Sequence, residues 1–113
     1  MVDNNYFSHN SPTYGTPFNM IKNFGITYKA AGENIAGNSS NQGAVNAWMN
    51  SSGHKANILS NNHNYTGVAV VSSPTYGKVY VQMFIGKWFC NNLIYKYNFE
   101  FSARLEWEIE IVI

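Results

Sequence analysis

Two segments rich in β-branched and aromatic residues, YTGVAVV at 65–71 and KVYVQMF at 78–84, constrain the fold of this chain more than any other feature. The sequence SSPTYG joins them, and its serine, proline and glycine residues are typical of a tight turn. Residues of these types favour strands. We therefore predict a β-hairpin. An isolated hairpin is marginally stable in water, so further elements must pack against it.

The residues ahead of the hairpin carry signals of short helices and one extended segment. Apolar residues recur at helical spacing, Gly25 fits a helix end, and serines stand where they can cap later helices. The predicted helices cover 17–24, about 41–50 and 53–59, and 28–37 is predicted to be extended. With 113 residues, the chain has room for one domain with one core, of the α+β class.

The inner faces of the later helices follow from their apolar residues. In the second helix we expect Val45, Trp48 and Met49 on one face, and in the third we expect Ala56 and Leu59 to point inward. In the hairpin, valines at 68, 70, 79 and 81 supply β-branched bulk.

The charge content excludes several classes of partner. Charged residues make up 12% of the chain, the net charge is +1, and no run of lysine or arginine occurs, which argues against nucleic acid or an anionic membrane. No apolar stretch reaches the roughly 18 residues of a membrane span. An exported protein would carry its targeting segment outside this chain, since MVDNNYFSHN has no signal-peptide apolar region. The single cysteine, Cys90, allows no internal disulfide.

The composition changes after Gly86, which divides the chain into a domain at 1–86 and an atypical tail at 87–113. The tail has neither glycine nor proline, and from Leu93 onward apolar and polar residues alternate. This pattern predicts one very long strand or two strands. Such a strand has an unpaired edge, so we expect it either to pack across the domain's own open face or to form a homodimer.

Three histidines and one glutamate are the candidate site residues of the first 86 positions. His9 lies in a turn-rich loop and His54 at a predicted helix start, while Glu33 lies between glycines in AGENIAG. Two neutral imidazoles and a carboxylate can bind Zn²⁺ or another divalent ion, or act as general acid and base. They can equally be structural residues, because no HExxH or CxxC motif is present. His63, in SNNHNY, is expected to be solvated.

Four stretches, SHNSP, GENIAG, AWMNSSGHKANIL and VYVQMF, occur in this order over residues 4–86. They resemble the CAP superfamily, the SCP-like domains of cysteine-rich secretory, antigen 5 and pathogenesis-related 1 proteins, in its bacterial branch without disulfides. The resemblance implies an α-β-α sandwich with an open cleft. It places His9, His54 and Glu33 in that cleft, with Asn34 and Ser51 beside them as binding residues. We expect the two histidines to be the metal ligands, because neutral imidazoles bind divalent ions.

The chain departs from the family pattern in two places within this region. Many members carry a second cleft glutamate where Ser51 stands here, and the family begins with a helix ahead of the first histidine. The expected fold is therefore an N-terminally truncated sandwich with a β-rich tail.

Three functions remain open from the sequence. We favour an extracellular or wall-associated binding domain, whose cleft takes a divalent metal such as zinc and a small ligand, lipid or cell-wall component that the sequence does not identify. The alternative is a metal-dependent hydrolase of peptide or cell-wall material with Glu33 as base. Against the hydrolase, two protein ligands are fewer than the three usual in catalytic zinc sites. The third is an assembly role for the tail.

Overall fold

The computed structural model describes residues 1–88 and the backbone of 109–112. Its elements are α1 (Pro17–Asn23), β1 (Ala30–Asn38), α2 (Asn41–Met49), α3 (Ser52–Leu59), β2 (Tyr65–Ser73), β3 (Gly77–Gly86) and β4 (Ile109–Val112). Both the α+β class and the predicted hairpin are confirmed. No helix in the described part of the chain is long and apolar enough to cross a membrane.

The hairpin forms the centre of an antiparallel sheet with the strand order β1-β3-β2-β4. Ser73 pairs with Gly77 at its tip, and Gly77 has φ +81°, a left-handed conformation that glycine adopts without steric cost. Of the tail, β4 pairs antiparallel with β2. The remaining tail predictions fall on residues outside those described, and the homodimer stays a prediction.

Local chemistry explains where the first two helices begin and end. Thr16 caps α1 by accepting the Asn19 N–H, and Ser40 caps α2 by accepting the Gly43 N–H. Gly25, with φ +75°, follows the end of α1 as predicted. Residues 1–16 contain turns and bends but no helix.

Helices α2 and α3 pack on the sheet face formed by the even-numbered residues of β1 and β3. Trp48 of α2 meets Tyr80 of β3 edge-to-face, with ring centroids 6.4 Å apart, and Ala36 and Ala44 complete this core. Since alternate residues of a strand point to opposite faces, Glu33 and Val79 lie on the other face, which the N-terminal residues approach.

Two side chains that were expected on the inner faces of the helices are exposed instead. Val45 is 46% exposed and Leu59 is 60% exposed. In α2 the inner positions are Ala44 and Trp48, one helical turn apart. Ala56 is exposed as well, and in α3 it is Ile58 that contacts the core.

Gly86 ends β3 at a close approach between two backbone segments, where the carbonyl oxygen of Asn62 lies against its Cα. A methyl group at this position would collide with that oxygen, and the backbone would have to shift. We expect Gly86→Ala to lower the free energy of unfolding by about 2 kcal/mol in urea denaturation. Gly53→Ala is the matched control, since open space surrounds Gly53 in α3. It should raise stability by roughly 0.5 kcal/mol, and equal effects of the two changes would contradict the contact.

Candidate functional site

The His9 and Glu33 side chains form a hydrogen bond, with Nδ1 of His9 2.7 Å from Oε1 of Glu33. The Glu33 side chain is only 7% exposed, whereas that of His9 is 52% exposed. Because a carboxylate only accepts, the Nδ1–H of His9 donates this short, charge-assisted bond. The ring nitrogen that remains available to a ligand is Nε2. Glu33 therefore lies within hydrogen-bonding distance of one predicted site histidine.

The backbone under Glu33 is held by both neighbouring helices. Glu33 lies on β1, an edge strand of the sheet, and edge carbonyls need other partners. Asn57 donates Nδ2–H to the Glu33 carbonyl at 3.3 Å, and Trp48 donates Nε1–H to the Ile35 carbonyl at 3.0 Å. Helices α2 and α3 therefore close this edge and fix the strand that carries the carboxylate.

The environment of Glu33 acts on its ionisation in two opposing ways. Burial raises the pKa of the Glu33 carboxyl above its ordinary value, and the hydrogen bond and charge of His9 lower it in part. Desolvation is the larger effect, so the ionised carboxylate is less favourable in the folded chain than in the unfolded chain.

This shift predicts a pH dependence of stability. With a raised folded-state pKa, the folded chain keeps a proton that the unfolded chain has already lost. The Glu33 contribution therefore makes the free energy of unfolding fall as pH rises from the ordinary glutamate range, about 4.3. Glu33→Gln should remove this slope, and His9→Ala should steepen it. Urea denaturation at several pH values measures both, and parallel curves for parent and Glu33→Gln would contradict the assignment.

Ser51 and His54 form a second pair at the start of α3. Ser51 is the N-cap residue of this helix, yet its hydroxyl makes no capping bond. Its Oγ lies 2.7 Å from Nδ1 of His54 instead. His54 resembles His9 in that Nδ1 contacts a protein oxygen and Nε2 is the other ring nitrogen, although the Ser51 hydroxyl can either donate to Nδ1 or accept from it. The partner of His54 is a neutral hydroxyl rather than a carboxylate.

Asn34 joins the two halves of the candidate site from inside the protein. Its side chain is fully buried, and Nδ2–H donates to the His54 carbonyl at 3.1 Å. Its Oδ1 accepts from Nδ2–H of Asn57 at 2.9 Å. These bonds hold the start of α3 against β1. Asn34 therefore positions the start of α3 from inside the protein, and its contact with a ligand stays a prediction.

His63, which was expected to be solvated, is a packed structural residue. Its ring stacks on Phe84 with centroids 5.3 Å apart, and its Nδ1–H donates to the Asn57 carbonyl at 3.0 Å. Gly32 leaves room for it, since a Cβ there would lie 3.2 Å from the His63 ring. The signal in the sequence that could have indicated this packing is Gly32, a glycine within a strand, which pairs with Phe84.

Few side chains that could bind a metal ion lie near the two histidines in the described part of the chain. Among the described residues, no group of three or more His, Cys, Asp or Glu side chains is placed to hold a metal ion. Nor does a hydrogen bond or ion pair join the His9–Glu33 pair directly to the Ser51–His54 pair within residues 1–88. The connection between the pairs runs through Asn34 and Asn57.

The sheet with its flanking helices and two histidine pairs defines the class of domain, and comparison with known proteins gives the family. The sequence model of CAP, the cysteine-rich secretory protein family, matches residues 1–84. This chain therefore belongs to the CAP family, as a bacterial SCP-like domain.

Two relatives of this chain are longer proteins of Bacillus subtilis. It is 56% identical over 88 residues to the uncharacterized protein YkwD of Bacillus subtilis, covering 77% of this chain and 33% of YkwD. It is 38% identical over 89 residues to the uncharacterized membrane protein YlbC of the same organism, covering 78% of this chain and 24% of YlbC.

A solved structure shows the same fold. It is the crystal structure of an extracellular protein containing a SCP domain from Bacillus anthracis, with a TM-score of 0.62 and 42% identity. The match covers 75% of this chain and 27% of that protein. This chain thus spans a third or less of the length of the relatives described.

Proposed function

We propose that this chain is the binding domain of an extracellular protein, and that His9 and His54 hold a divalent metal ion such as Zn²⁺. One observation carries the proposal: both imidazoles have Nδ1 bonded to a protein oxygen at 2.7 Å, so each can offer only Nε2 to a ligand. Metal-binding histidines nearly always donate their other ring N–H to such a partner, which fixes the tautomer and the ring orientation.

The donor set fits a weak and open metal site rather than a structural one. Structural zinc has four protein ligands and catalytic zinc has three. Two imidazoles leave positions for water or for an incoming ligand, and Glu33 would act on the metal only through His9. We expect such a site to bind its metal more weakly than dedicated zinc proteins do. The open positions favour a ligand with oxygen donors. A small ligand, a lipid head group or a cell-wall component would each supply such oxygen donors.

The extracellular location is proposed from the comparisons. The Bacillus anthracis relative is an extracellular protein, and 42% identity over 75% of this chain supports the same setting here.

A second candidate, hydrolysis of peptide or cell-wall material, is favoured by the geometry of His9. A half-exposed imidazole that donates Nδ1–H to a buried carboxylate has the arrangement of a general base, in which Nε2 takes the proton. Glu33 would then orient His9, whereas the sequence suggested Glu33 itself as base. Hydrolysis that is lost in both His9→Ala and Glu33→Gln would support the enzyme, and hydrolysis that survives in His9→Ala would exclude this base.

The metal proposal predicts that His9→Ala and His54→Ala each weaken Zn²⁺ binding by about tenfold or more, as measured by isothermal titration calorimetry. Binding should also weaken as the pH is lowered, because an imidazole must be neutral to bind a metal. His63→Ala is the matched control. The Nδ1 of His63 is also hydrogen-bonded, but its ring lies under α3, against the opposite face of β1 from Glu33.

Ser51→Glu tests the same site in the opposite direction. A carboxylate beside His54 would replace the neutral hydroxyl and should raise Zn²⁺ affinity by about tenfold. Unchanged affinity in His9→Ala and in His54→Ala, with both variants folded, would overturn the metal site. An equal loss in His63→Ala would mean that zinc binds histidines nonspecifically.

A further inference from the structure

A cavity of about 170 Å³ lies between the N-terminal residues and the tip of the β2–β3 hairpin. Asn5, Tyr6 and Phe7 line one wall, and Thr75 and Tyr76 line the other. No Asp, Glu, Lys, Arg or His side chain is among the described residues that line it. Its walls thus combine aromatic rings, apolar side chains and uncharged polar side chains, a different chemistry from that of the two histidine pairs.

The hairpin wall of this cavity is held in place by local bonds. Tyr76 donates its backbone N–H to Oγ of Ser73 at 3.3 Å, in the turn that ends at Gly77. Its ring lies against Gly37, where an added Cβ would be 2.7 Å from the ring carbons. The ring is therefore fixed by the backbone on one side, although 43% of the residue is exposed.

The N-terminal wall is equally constrained. The Phe7 ring contacts Tyr76 with centroids 5.1 Å apart and planes tilted by 42°. Asn5 has φ +50°, a left-handed conformation that asparagine tolerates, in a turn closed by its N–H to the Val2 carbonyl at 3.1 Å. The half-exposed rings of Phe7 and Tyr76 and the side-chain amide of Asn5 therefore line a preformed cavity.

We infer that this cavity binds one ring of a neutral saccharide. No side chain of the lining is charged, which disfavours an ionic ligand, because such a ligand would lose hydration without gaining a charged side-chain partner. The volume is below the roughly 300–1,000 Å³ of pockets that take drug-sized ligands, so it suits a single small ring rather than an acyl chain. A sugar ring offers C–H groups to an aromatic face and hydroxyls to the side chains of Asn5 and Thr75.

The cavity lies on the same sheet face as His9 and Glu33. Gly37, under the Tyr76 ring, and Glu33 both project from the odd-numbered face of β1 and are four residues apart, about 13 Å along the strand. A saccharide chain anchored at Tyr76 can therefore extend toward the His9–Glu33 pair. The inference stands independently of the metal, since none of the residues that carry it belongs to either histidine pair.

Titration of the ¹⁵N-labelled chain with cellobiose and with the N-acetylglucosamine dimer tests the inference. We expect chemical-shift changes at the backbone amides of 75–77, with a Kd of about 1 mM. Tyr76→Ala should weaken binding by about tenfold or more, and Tyr76→Phe should retain most of it because the ring remains. Asn5→Ala leaves both rings in place and should weaken binding about threefold, through one lost hydrogen bond.

Tyr65→Ala is the matched control, because Tyr65 is 42% exposed, as Tyr76 is 43%, but lies at the far end of the hairpin. It should leave saccharide binding unchanged. Four results would overturn the inference: no shift change up to ~30 mM saccharide, equal loss in Tyr65→Ala, equal binding of glucuronic acid, or displacement by lauric acid. Zinc titration of Tyr76→Ala should match the parent chain, so failure of the saccharide site and failure of the metal site are distinguishable.

Discussion

Trp48→Ala should lower the free energy of unfolding by about 4 kcal/mol, a large part of the roughly 5–15 kcal/mol that stabilises an ordinary domain. Trp48 is 4% exposed and packs edge-to-face on Tyr80, where α2 meets the sheet. Removing the indole leaves a cavity in the core and deprives the Ile35 carbonyl of its donor. Urea denaturation followed by circular dichroism measures the change.

Two further variants separate the effects within this prediction. Trp48→Phe retains an aromatic ring but cannot donate to Ile35, and it should cost about 2 kcal/mol. Val45→Ala is the control on the same helix, since Val45 is 46% exposed, and it should change stability by less than about 0.5 kcal/mol. Equal losses in Val45→Ala and Trp48→Ala would mean that α2 packs through another face.

Asn34→Ala should lower the free energy of unfolding by about 3 kcal/mol although it removes only a small polar group. The variant removes the bond to the His54 carbonyl and the bond from the Asn57 amide, and each buried hydrogen bond lost in this way costs about 1–3 kcal/mol. The start of α3 would lose its tie to β1. Zinc affinity should fall together with stability if the metal site exists, because His54 depends on that tie.

Asn34→Asp tests the direction of these bonds. An aspartate keeps the acceptor for Asn57 but places a buried oxygen against the His54 carbonyl, and it should be at least as destabilising as alanine. Asn46→Ala is the control, since Asn46 is exposed on α2 and its side chain accepts from Gln42 on the same helix. A small effect of Asn34→Ala, comparable with that of Asn46→Ala, would show that the buried bonds contribute little.

Features that depend on neighbours in sequence were predictable. Thr16 and Ser40 cap helices because their side chains reach an N–H three residues ahead. Gly25 and Gly77 adopt the left-handed conformations that end a helix and close a turn. The hairpin followed from β-branched runs on either side of that turn. The motifs that contain His9, Glu33 and His54 are also runs of adjacent residues, so they identified the family and the candidate site from sequence.

The faces of the short helices were not predictable in the same way. Helix α2 has nine residues and α3 has eight, so each makes little more than two turns and contains few apolar residues. In such a short helix, more than one face could be the buried one. The packing of the helices against β1 determines which face is buried, and Leu59 lies on the exposed face, with 60% exposure.

The sequence by itself determined the hairpin strands, the turns, the caps of α1 and α2 and the motifs, because each depends on the conformational preferences of a few adjacent residues. Only the tertiary structure decided which polar side chains are buried and with what partners. Asn34 and His63 look in sequence like the many exposed asparagines and loop residues around them. They are buried or packed because α3 crosses β1 at their positions, and a buried polar group is stable only where such a crossing supplies its hydrogen bonds.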